Sequence, residues 1–192
     1  MKDPARAADS LVRIREQSKR MTRLIADLLD RARVSVGALS LEVVTFDLGV
    51  ATAITIGLAD SGESPRITFT TTAPLRIQGD PERIGQILAN LLDNATRYSA
   101  PGSPITVALT VVGNEAQIRV TDRGVGVPED ERERIFAPFY RASRTREILG
   151  TGLGLHISRR IAEQHHGRLW LESTSESGSV FVLALPLAMA AG

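Results

Sequence analysis

The amino-acid sequence predicts an α+β fold, a two-layer sandwich in which helices cover one face of a mixed, mostly antiparallel sheet. Helical and strand-like segments alternate along the chain without the regular βαβ repeat of a parallel sheet. Two pairs of alternating apolar and polar segments flank short turns, which is typical of β-hairpins. Of the 192 residues, 43% are hydrophobic, so the chain can form one substantial core with an appendage.

The first predicted element is a long N-terminal helix. Asp3 and Pro4 form a helix-start pair, because Asp is a favoured N-cap and Pro fits the first helical position. A narrow apolar stripe on this helix favours a coiled coil with another chain, although an amphipathic helix packed on its own domain has the same pattern. We expect residues 1–36 to form this helical segment, residues 37–188 the main domain and residues 189–192 a tail. The stripe consists of Leu11, Ile14, Ser18, Met21, Ile25, Leu28 and Ala32.

The main domain is predicted to alternate strands and helices. Gly113 and Asn114 supply the turn of the first hairpin. The stretch over residues 123–149 is polar, charged and glycine-containing, and it is too long for an ordinary connection. In chain order, the pattern predicts a strand around 39–44, a helix over 47–59, a loop at 61–65, a strand over 67–71, a helix over 80–99, a hairpin of 105–112 with 116–121, a helix over 152–165 and a last hairpin of 168–173 with 179–186.

The composition excludes several classes of function. The 23 basic and 22 acidic residues nearly cancel, so the basic surface that nucleic acid requires is not indicated. The absence of cysteine rules out disulfides, thiolate catalysis and thiolate metal sites. No apolar run approaches the roughly 18–20 residues that span a bilayer, and the first ten residues lack the apolar core of a signal peptide. We therefore expect this segment to be cytoplasmic, while a longer protein could carry a membrane anchor.

The helix predicted over residues 80–99 carries the first candidate site. Gln86, Asn90, Asn94 and Arg97 follow one another at steps of four, four and three, so they share one helix face. Carboxamide oxygens suit Mg²⁺, a hard cation, and a guanidinium group suits phosphate. A polar stripe that caps neighbouring loops would have the same spacing, so this face alone does not decide between a site and a structural role.

A second candidate follows the first hairpin. Asp122 stands at the predicted end of a strand, and Gly124 and Gly126 follow it. The glycines allow the backbone to pass close to a flat ligand, and the carboxylate can accept a hydrogen bond from an exocyclic amino group such as that of adenine. A plain Asp-Gly turn is the alternative.

Large aromatic residues interrupt the polar stretch. The segment Ile135–Arg141 reads Ile-Phe-Ala-Pro-Phe-Tyr-Arg. Aromatic side chains inside a loop predict a segment that docks on a site as a lid. A small satellite core is the alternative.

Three alternating glycines precede the last predicted helix. Gly150, Gly152 and Gly154 predict a phosphate-binding turn, because a helix start offers free N–H groups and the positive end of the helix dipole. The pattern is not a Walker P-loop, since no Gly-Lys-Ser/Thr follows. Nor is it the dinucleotide-binding fingerprint, since a long polar loop precedes it instead of a strand.

In this order, the four segments resemble the N box, the first glycine box, the F box and the second glycine box of histidine kinases. Those kinases share an ATPase superfamily with gyrase, heat-shock chaperones and mismatch-repair proteins. The resemblance covers almost the whole chain, from the helix at residue 4 to Pro186. It implies a Bergerat-type ATP-binding fold with ATP and Mg²⁺ as cofactors.

The resemblance also assigns roles to the matching positions. It implies that Asn94 holds Mg²⁺, that Asp122 binds the adenine amino group, and that Asn90 takes part in catalysis. Arg141 would steady the transferring phosphate, as cations do in such transition states. The positions that it implies in ATP binding besides Asn94 and Asp122 are Asn90, Arg97, Tyr98, Gly124, Gly126, Val127, Gly150, Thr151, Gly152, Leu153, Gly154 and Leu155.

Position 90 separates the kinases from the hydrolases of this superfamily. The hydrolases carry a Glu one helical turn before the metal-binding Asn, where it activates water, whereas this chain has Asn90, and an amide has no useful basicity. The resemblance therefore implies transfer of the ATP γ-phosphate to a histidine within a two-component pathway, with a response regulator as a partner. An ATP hydrolase of the gyrase or chaperone type, a nucleotide-binding module without turnover, and a kinase that phosphorylates serine on an anti-sigma antagonist are the alternatives.

The histidines depart from the family pattern. None of His156, His165 and His166 lies in a phosphoacceptor motif. His156 is predicted to pack within its helix, and His165 and His166 to place cationic side chains at the end of that helix. The helix over residues 1–36 resembles the second helix of the dimerisation hairpin, which follows the acceptor helix. We therefore expect the acceptor histidine on a missing segment or a partner chain, and a homodimer formed through the N-terminal helix.

Overall fold

The structure is a computed structural model that describes residues 40–59, 67–72, 74–145 and 150–188. The predictions for the N-terminal helix, the loop at 61–65 and the tail at 189–192 lie outside the described residues. Within these ranges the elements are β1 (Val44–Asp47), α1 (Leu48–Ala59), β2 (Ile67–Thr71), β3 (Arg76–Gly79), α2 (Pro81–Tyr98), β4 (Ile105–Val112), β5 (Glu115–Thr121), α3 (Gly154–Gln164), β6 (Arg168–Ser175) and β7 (Gly178–Pro186).

Five of these strands form the main sheet, in the order β2-β4-β5-β7-β6. Strand β2 runs parallel to β4, and the other neighbours are antiparallel. The register aligns apolar residues in rows across the sheet: Leu109 lies opposite Ile118, which lies opposite Leu183. All three side chains are fully buried. The predicted mixed, mostly antiparallel sheet is therefore confirmed.

Helix α2 shows how the helical layer joins this sheet. Asp80 caps the N-terminus of this helix, because its side chain accepts hydrogen bonds from the N–H groups of Glu82 and Arg83. Pro81 occupies the first turn. Its apolar face belongs to the same buried cluster as the strand residues, and each Leu and Ile side chain on it contributes about 1.5–3 kcal/mol by leaving water. The opposite face, which carries Asn90 and the other polar residues, is only partly covered. The apolar face consists of Ile84, Ile87, Leu88, Leu91, Leu92 and Ala95.

The structure differs from the prediction in three places. Strand β3, which pairs with β1, was not predicted, because its four residues are too few to show a period. The strand expected around 39–44 begins only at Val44. The polar stretch is not an open loop over its described part, since it forms three short 3₁₀ helices at Glu129–Glu131, Arg134–Phe136 and Ser143–Thr145.

The end of α3 is fixed to the start of α2. His165 is buried, its Nε2 accepts a hydrogen bond from the backbone N–H of Asp80 at 3.0 Å, and its Nδ1 lies 2.8 Å from the carbonyl oxygen of Ile161. Because Nε2 accepts, the proton of the ring is on Nδ1. The prediction of a cationic side chain at position 165 is therefore wrong. His165 is a neutral ring that joins two helices.

No helix in the described ranges combines the length and the apolar character that crossing a membrane would require.

Candidate functional site

Helices α2 and α3 meet at Asn90. Its Nδ2 donates a hydrogen bond to the Oγ of Ser158 at 3.0 Å. Gly154 begins α3, and a Cβ at that position would lie 2.9 Å from the Cγ of Asn90, so a glycine lets the helix start this close to the carboxamide. The structure thus brings together two of the predicted site residues, Asn90 and Gly154, and adds Ser158. The sequence signal for Ser158 was weak, because it is a lone hydroxyl on an otherwise apolar helix face.

The start of α3 offers unused hydrogen-bond donors. Leu153 stands at the N-cap, and its side chain makes no capping bond. Within the described ranges, the backbone N–H groups of Gly154, Leu155 and His156 donate to no protein acceptor. Thr151 Oγ1 accepts from the N–H of Leu153 at 3.3 Å, which closes the turn before the helix. Such a helix start is suited to an anion.

The glycine turn packs against the aromatic segment. The N–H of Phe139 donates to the carbonyl oxygen of Gly152 at 3.0 Å. Gly152 has a φ of 71°, and a Cβ there would lie 2.7 Å from the carbonyl carbon of Phe139, so this position requires glycine. Ile135 and Phe136 are buried in the core, whereas Phe139 is 54% exposed. The segment therefore combines a core anchor with a direct contact to the glycine turn.

A buried carboxylate holds the aromatic segment in place. Glu131 accepts a hydrogen bond from the N–H of Ser143 at 2.8 Å. Burial acts to raise the pKa of Glu131, but hydrogen bonds from Ser143 and Tyr140 and the charge of Arg134 outweigh it, so the pKa lies below its usual value. Glu131 is therefore ionised at neutral pH and joins the two ends of the segment.

Asp122 lies at a second end of the site. It is 7% exposed, and its Oδ1 accepts from the N–H of Gly124 at 2.8 Å and from the N–H of Ser179 at 3.2 Å. Burial raises the pKa of Asp122, and these two hydrogen bonds only partly oppose that shift. Among the described residues nothing donates to its Oδ2, so one oxygen is left as an acceptor. Ser179 was not predicted, because it comes 57 residues after Asp122.

The backbone after Asp122 is joined to the end of α2. Gly124 forms an isolated antiparallel bridge with Ser99, and the N–H of Val125 donates to the carbonyl oxygen of Tyr98 at 3.3 Å. A Cβ on Gly124 would lie 2.7 Å from that same oxygen. The predicted residues Tyr98 and Gly124 are therefore neighbours.

The next two residues are joined to strand β6. Gly126 has a φ of 66°, and a Cβ there would overlap the carbonyl group of Ser175. Val127 donates its N–H to the Oγ1 of Thr174 at 2.8 Å. The predicted segment from Asp122 to Val127 is thus fixed on both sides by the surrounding backbone.

The remaining predicted side chains differ in their surroundings. The carboxamide of Asn94 is half-buried and has no hydrogen-bond partner among the described residues. Arg97 forms an ion pair with Asp93, and its Nη1 lies 3.4 Å from a Cβ position on Gly150, beside the glycine turn. Arg141 donates to the carbonyl oxygen of Thr145 at 2.8 Å. No hydrogen bond in the described part of the chain joins Arg141 to Asn90 or Asn94.

Comparisons with known proteins agree with this arrangement. Residues 79–189 match the family model of histidine kinase-, DNA gyrase B- and HSP90-like ATPases. The adaptive-response sensory kinase SasA of Synechococcus sp. (strain JA-2-3B'a(2-13)) is 35% identical over 178 residues, which cover 90% of this chain and 47% of SasA. The chain thus spans about half the length, 47%, of the curated relatives it matches first.

Solved structures of histidine kinases are similar as well. Full-length ShkA in complex with AMPPNP gives a TM-score of 0.79 at 25% identity, over 100% of this chain and 41% of ShkA. ThkA in complex with the response regulator protein TrrA gives a TM-score of 0.74 at 26% identity, over 98% of this chain and 53% of ThkA. The chain carries the ATP-binding domain that these proteins share, and it belongs to the histidine kinase-, DNA gyrase B- and HSP90-like ATPase family.

Proposed function

We propose that the chain is the ATP-binding catalytic part of a sensor histidine kinase, which transfers the γ-phosphate of ATP to a histidine on a separate helix or partner chain. The observation that supports it most is Asn90, which lies on α2 facing the start of α3, at the position where the hydrolases of the family are expected to have a glutamate. An amide cannot take a proton from water. Asp93, the carboxylate that precedes Asn94, is paired with Arg97.

The two ends of the site fit the two ends of ATP. The free Oδ2 of Asp122 can accept a hydrogen bond from the amino group of adenine, while Gly124, Gly126 and Val127 leave the backbone open to the flat base. The unused N–H groups of Gly154 and Leu155 can bind phosphate oxygens. The other residues that we propose to line the phosphate side are Asn90, Arg97, Gly150, Thr151, Gly152 and Leu153. Tyr98, whose carbonyl oxygen accepts from Val125, would line the adenine side.

A single carboxamide fits what Mg²⁺ requires here. Mg²⁺ prefers oxygen ligands, keeps several waters and is usually held by one or two protein groups together with substrate phosphates. Asn94 supplies such an oxygen, and its side chain is unpaired among the described residues. When bound, Mg²⁺ would neutralise charge on the phosphate oxygens.

In the transfer itself, the bond between the γ-phosphorus and the oxygen that bridges it to ADP breaks, and a bond from the phosphorus to an imidazole nitrogen forms. The imidazole proton goes to solvent, and ADP is the leaving group. The protein contributes by holding the phosphates in line with the acceptor. We place Arg141 beside the transferring phosphate. In that position its guanidinium would give up its hydrogen bond to the carbonyl oxygen of Thr145 and donate to the phosphate instead.

The same proposal assigns roles to the two segments of the chain and to a response regulator. Residues 1–36 would form the second helix of the dimerisation hairpin and hold two copies together, and residues 37–188 would be the catalytic domain. The response regulator would be the final phosphate acceptor, as the complex of the similar ThkA with TrrA suggests.

Incubation with ATP labelled at the γ-phosphate tests the transfer. The chain alone should bind ATP and form no acid-labile phosphohistidine, because none of His156, His165 and His166 has an acceptor role. Addition of a polypeptide that carries a histidine-bearing dimerisation helix should restore labelling on that polypeptide. Phosphate release at the same rate with and without the acceptor would favour the hydrolase instead.

The Asn94→Ala variant tests the metal. We expect loss of Mg²⁺-dependent nucleotide binding and of transfer, with an unchanged unfolding midpoint, because the side chain forms no hydrogen bond or ion pair with another described residue. Gln86→Ala is the matched control, since Gln86 lies two turns earlier on the same helix face and accepts from Arg83 at 2.9 Å. Full transfer by Asn94→Ala would place the metal elsewhere.

A further inference from the structure

Helix α3 carries a serine on its buried face. Ser158 is 2% exposed, and Ile157, Ile161 and Ala162 beside it are buried as well. A hydroxyl in such a place gives up its hydrogen bonds to water, and serine is also less favourable than alanine inside a helix. Ser158 therefore needs a hydrogen-bond partner within the protein.

That partner is Asn90 on the facing helix. The Nδ2 of Asn90 donates to the Oγ of Ser158 at 3.0 Å, across 68 residues of sequence. This bond uses the nitrogen side of the carboxamide, so Oδ1 is the polar atom left for a ligand. Oδ1 is also the atom of Asn90 that comes nearest to the Cβ position of Gly154, at the start of α3.

We propose that Ser158 is a positioning residue that holds the carboxamide of Asn90 with its oxygen toward the start of α3. The inference rests on the proposed function, in which the phosphates and their Mg²⁺ bind at this helix start. An amide oxygen can face Mg²⁺ or the waters around it, whereas an NH₂ group is a donor that a cation disfavours. Asn94 has no comparable partner among the described residues, so Asn90 is the carboxamide that the protein itself orients.

This arrangement makes a prediction that a packing role would not make. A lost orientation at Asn90 affects the part of nucleotide binding that depends on Mg²⁺. It leaves the contacts of the base at Asp122 unchanged. Loss of simple packing would weaken binding equally with and without the metal.

The test is titration of the whole chain with a fluorescent ATP analogue, in the presence of Mg²⁺ and in its absence. Ser158→Ala should weaken binding about three- to tenfold with Mg²⁺, the usual effect of one lost hydrogen bond, and change it less than about twofold without Mg²⁺. Ser158→Cys keeps the shape with a weaker acceptor and should fall between Ser158→Ala and the parent. The double variant Asn90→Ala/Ser158→Ala should bind no worse than Asn90→Ala, because Ser158 acts through Asn90.

Thr52→Val is the matched control. Thr52 is a fully buried hydroxyl on α1 that donates to the carbonyl oxygen of Leu48 at 2.7 Å, in a different helix from the site. Thr52→Val should leave the affinity for the ATP analogue unchanged, both with Mg²⁺ and without it. Equal losses with and without Mg²⁺ in Ser158→Ala, or no loss at all, would overturn the role of Ser158 while leaving the proposed function in place. Failure of the parent chain to bind the analogue would instead overturn the proposed function, and the inference with it.

Discussion

The two ends of the candidate site are built in different ways. At the end that we propose to bind the base (the base end), Asp122 is bonded to the backbone at Gly124 and Ser179, and Val127 is bonded to strand β6. At the end that we propose to bind the phosphates (the phosphate end), the first N–H groups of α3 and the carboxamide of Asn94 have no protein partner within the described ranges. The base end is thus preformed by the sheet. The phosphate end keeps polar groups available for a ligand.

The glycines of the two ends show the same contrast. A side chain at Gly126 would meet the backbone carbonyl of Ser175, which the sheet holds in place. A side chain at Gly154 would meet the carboxamide of Asn90, which is the end of a rotatable side chain. Substitution of Gly126 should therefore damage the fold, whereas substitution of Gly154 should damage the function.

The largest effect is expected for Gly126→Ala. Its φ of 66° costs a non-glycine residue about 1–2 kcal/mol, and the overlap with Ser175 adds about 1–3 kcal/mol. The free energy of unfolding, measured by urea denaturation, should fall by about 3 kcal/mol. Gly113→Ala is the control, because Gly113 has a φ of 60° but open space around it. This variant should lose only the stability that the positive φ costs. Equal losses in the two variants would mean that Ser175 moves aside.

A smaller effect is expected for Asp122→Asn, which should change both the affinity for ATP and the stability of the fold. The affinity for ATP should fall about five- to a hundredfold, because an NH₂ group or a weaker acceptor then faces the amino group of adenine. Stability should rise at neutral pH. Burial raises the folded-state pKa of Asp122 above its unfolded value, so its favourable contribution is complete below the unfolded pKa and is lost as pH rises through the folded pKa.

Thermal unfolding at several pH values checks the predicted direction of this change in stability. The stability advantage of Asp122→Asn over the parent should be present at pH 7 and shrink as pH falls through the raised pKa of Asp122. The affinity of the parent for ATP should fall over the same range, as the carboxylate is protonated. A variant that binds ATP as well as the parent would remove Asp122 from the base site.

The smallest effect is expected for Gly154→Ala. The new methyl group displaces the carboxamide of Asn90 and costs its hydrogen bond to Ser158, so affinity for ATP with Mg²⁺ should fall about three- to tenfold. Alanine suits the first turn of a helix, which offsets part of the cost of leaving the buried hydroxyl of Ser158 without its partner, so the urea midpoint should fall much less than that of Gly126→Ala. A drop in the midpoint comparable to that of Gly126→Ala would contradict the contrast between the two ends.

The sequence alone predicted the elements whose signals are local. Asp80 and Pro81 marked the start of α2 within one residue, and Gly113 marked the first hairpin, because capping and turn chemistry depend on adjacent residues. Asn90 and Gly154 were predicted through motif spacing. Their ligand roles stay predictions.

Other features depend on contacts between distant parts of the chain. Ser158 and Ser179 are ordinary serines in the sequence, and only the packing of α3 and β7 brings them to Asn90 and Asp122. The sequence pattern predicts a cationic side chain for His165 at a helix end, because its acceptor role depends on Asp80, 85 residues earlier. Patterns of neighbouring residues do not predict hydrogen bonds between residues that lie so far apart in the sequence.

The position of β7 has a consequence for biosynthesis. This last strand of the described chain lies inside the sheet, between β5 and β6. Until its residues have left the ribosome, β5 has an open edge, and its neighbours Phe181 and Leu183 are missing from the core. Open edges of this kind pair readily with other chains. The described domain therefore completes its sheet only after synthesis has passed Pro186, and a nascent chain that stalls earlier keeps this edge and this part of the core exposed.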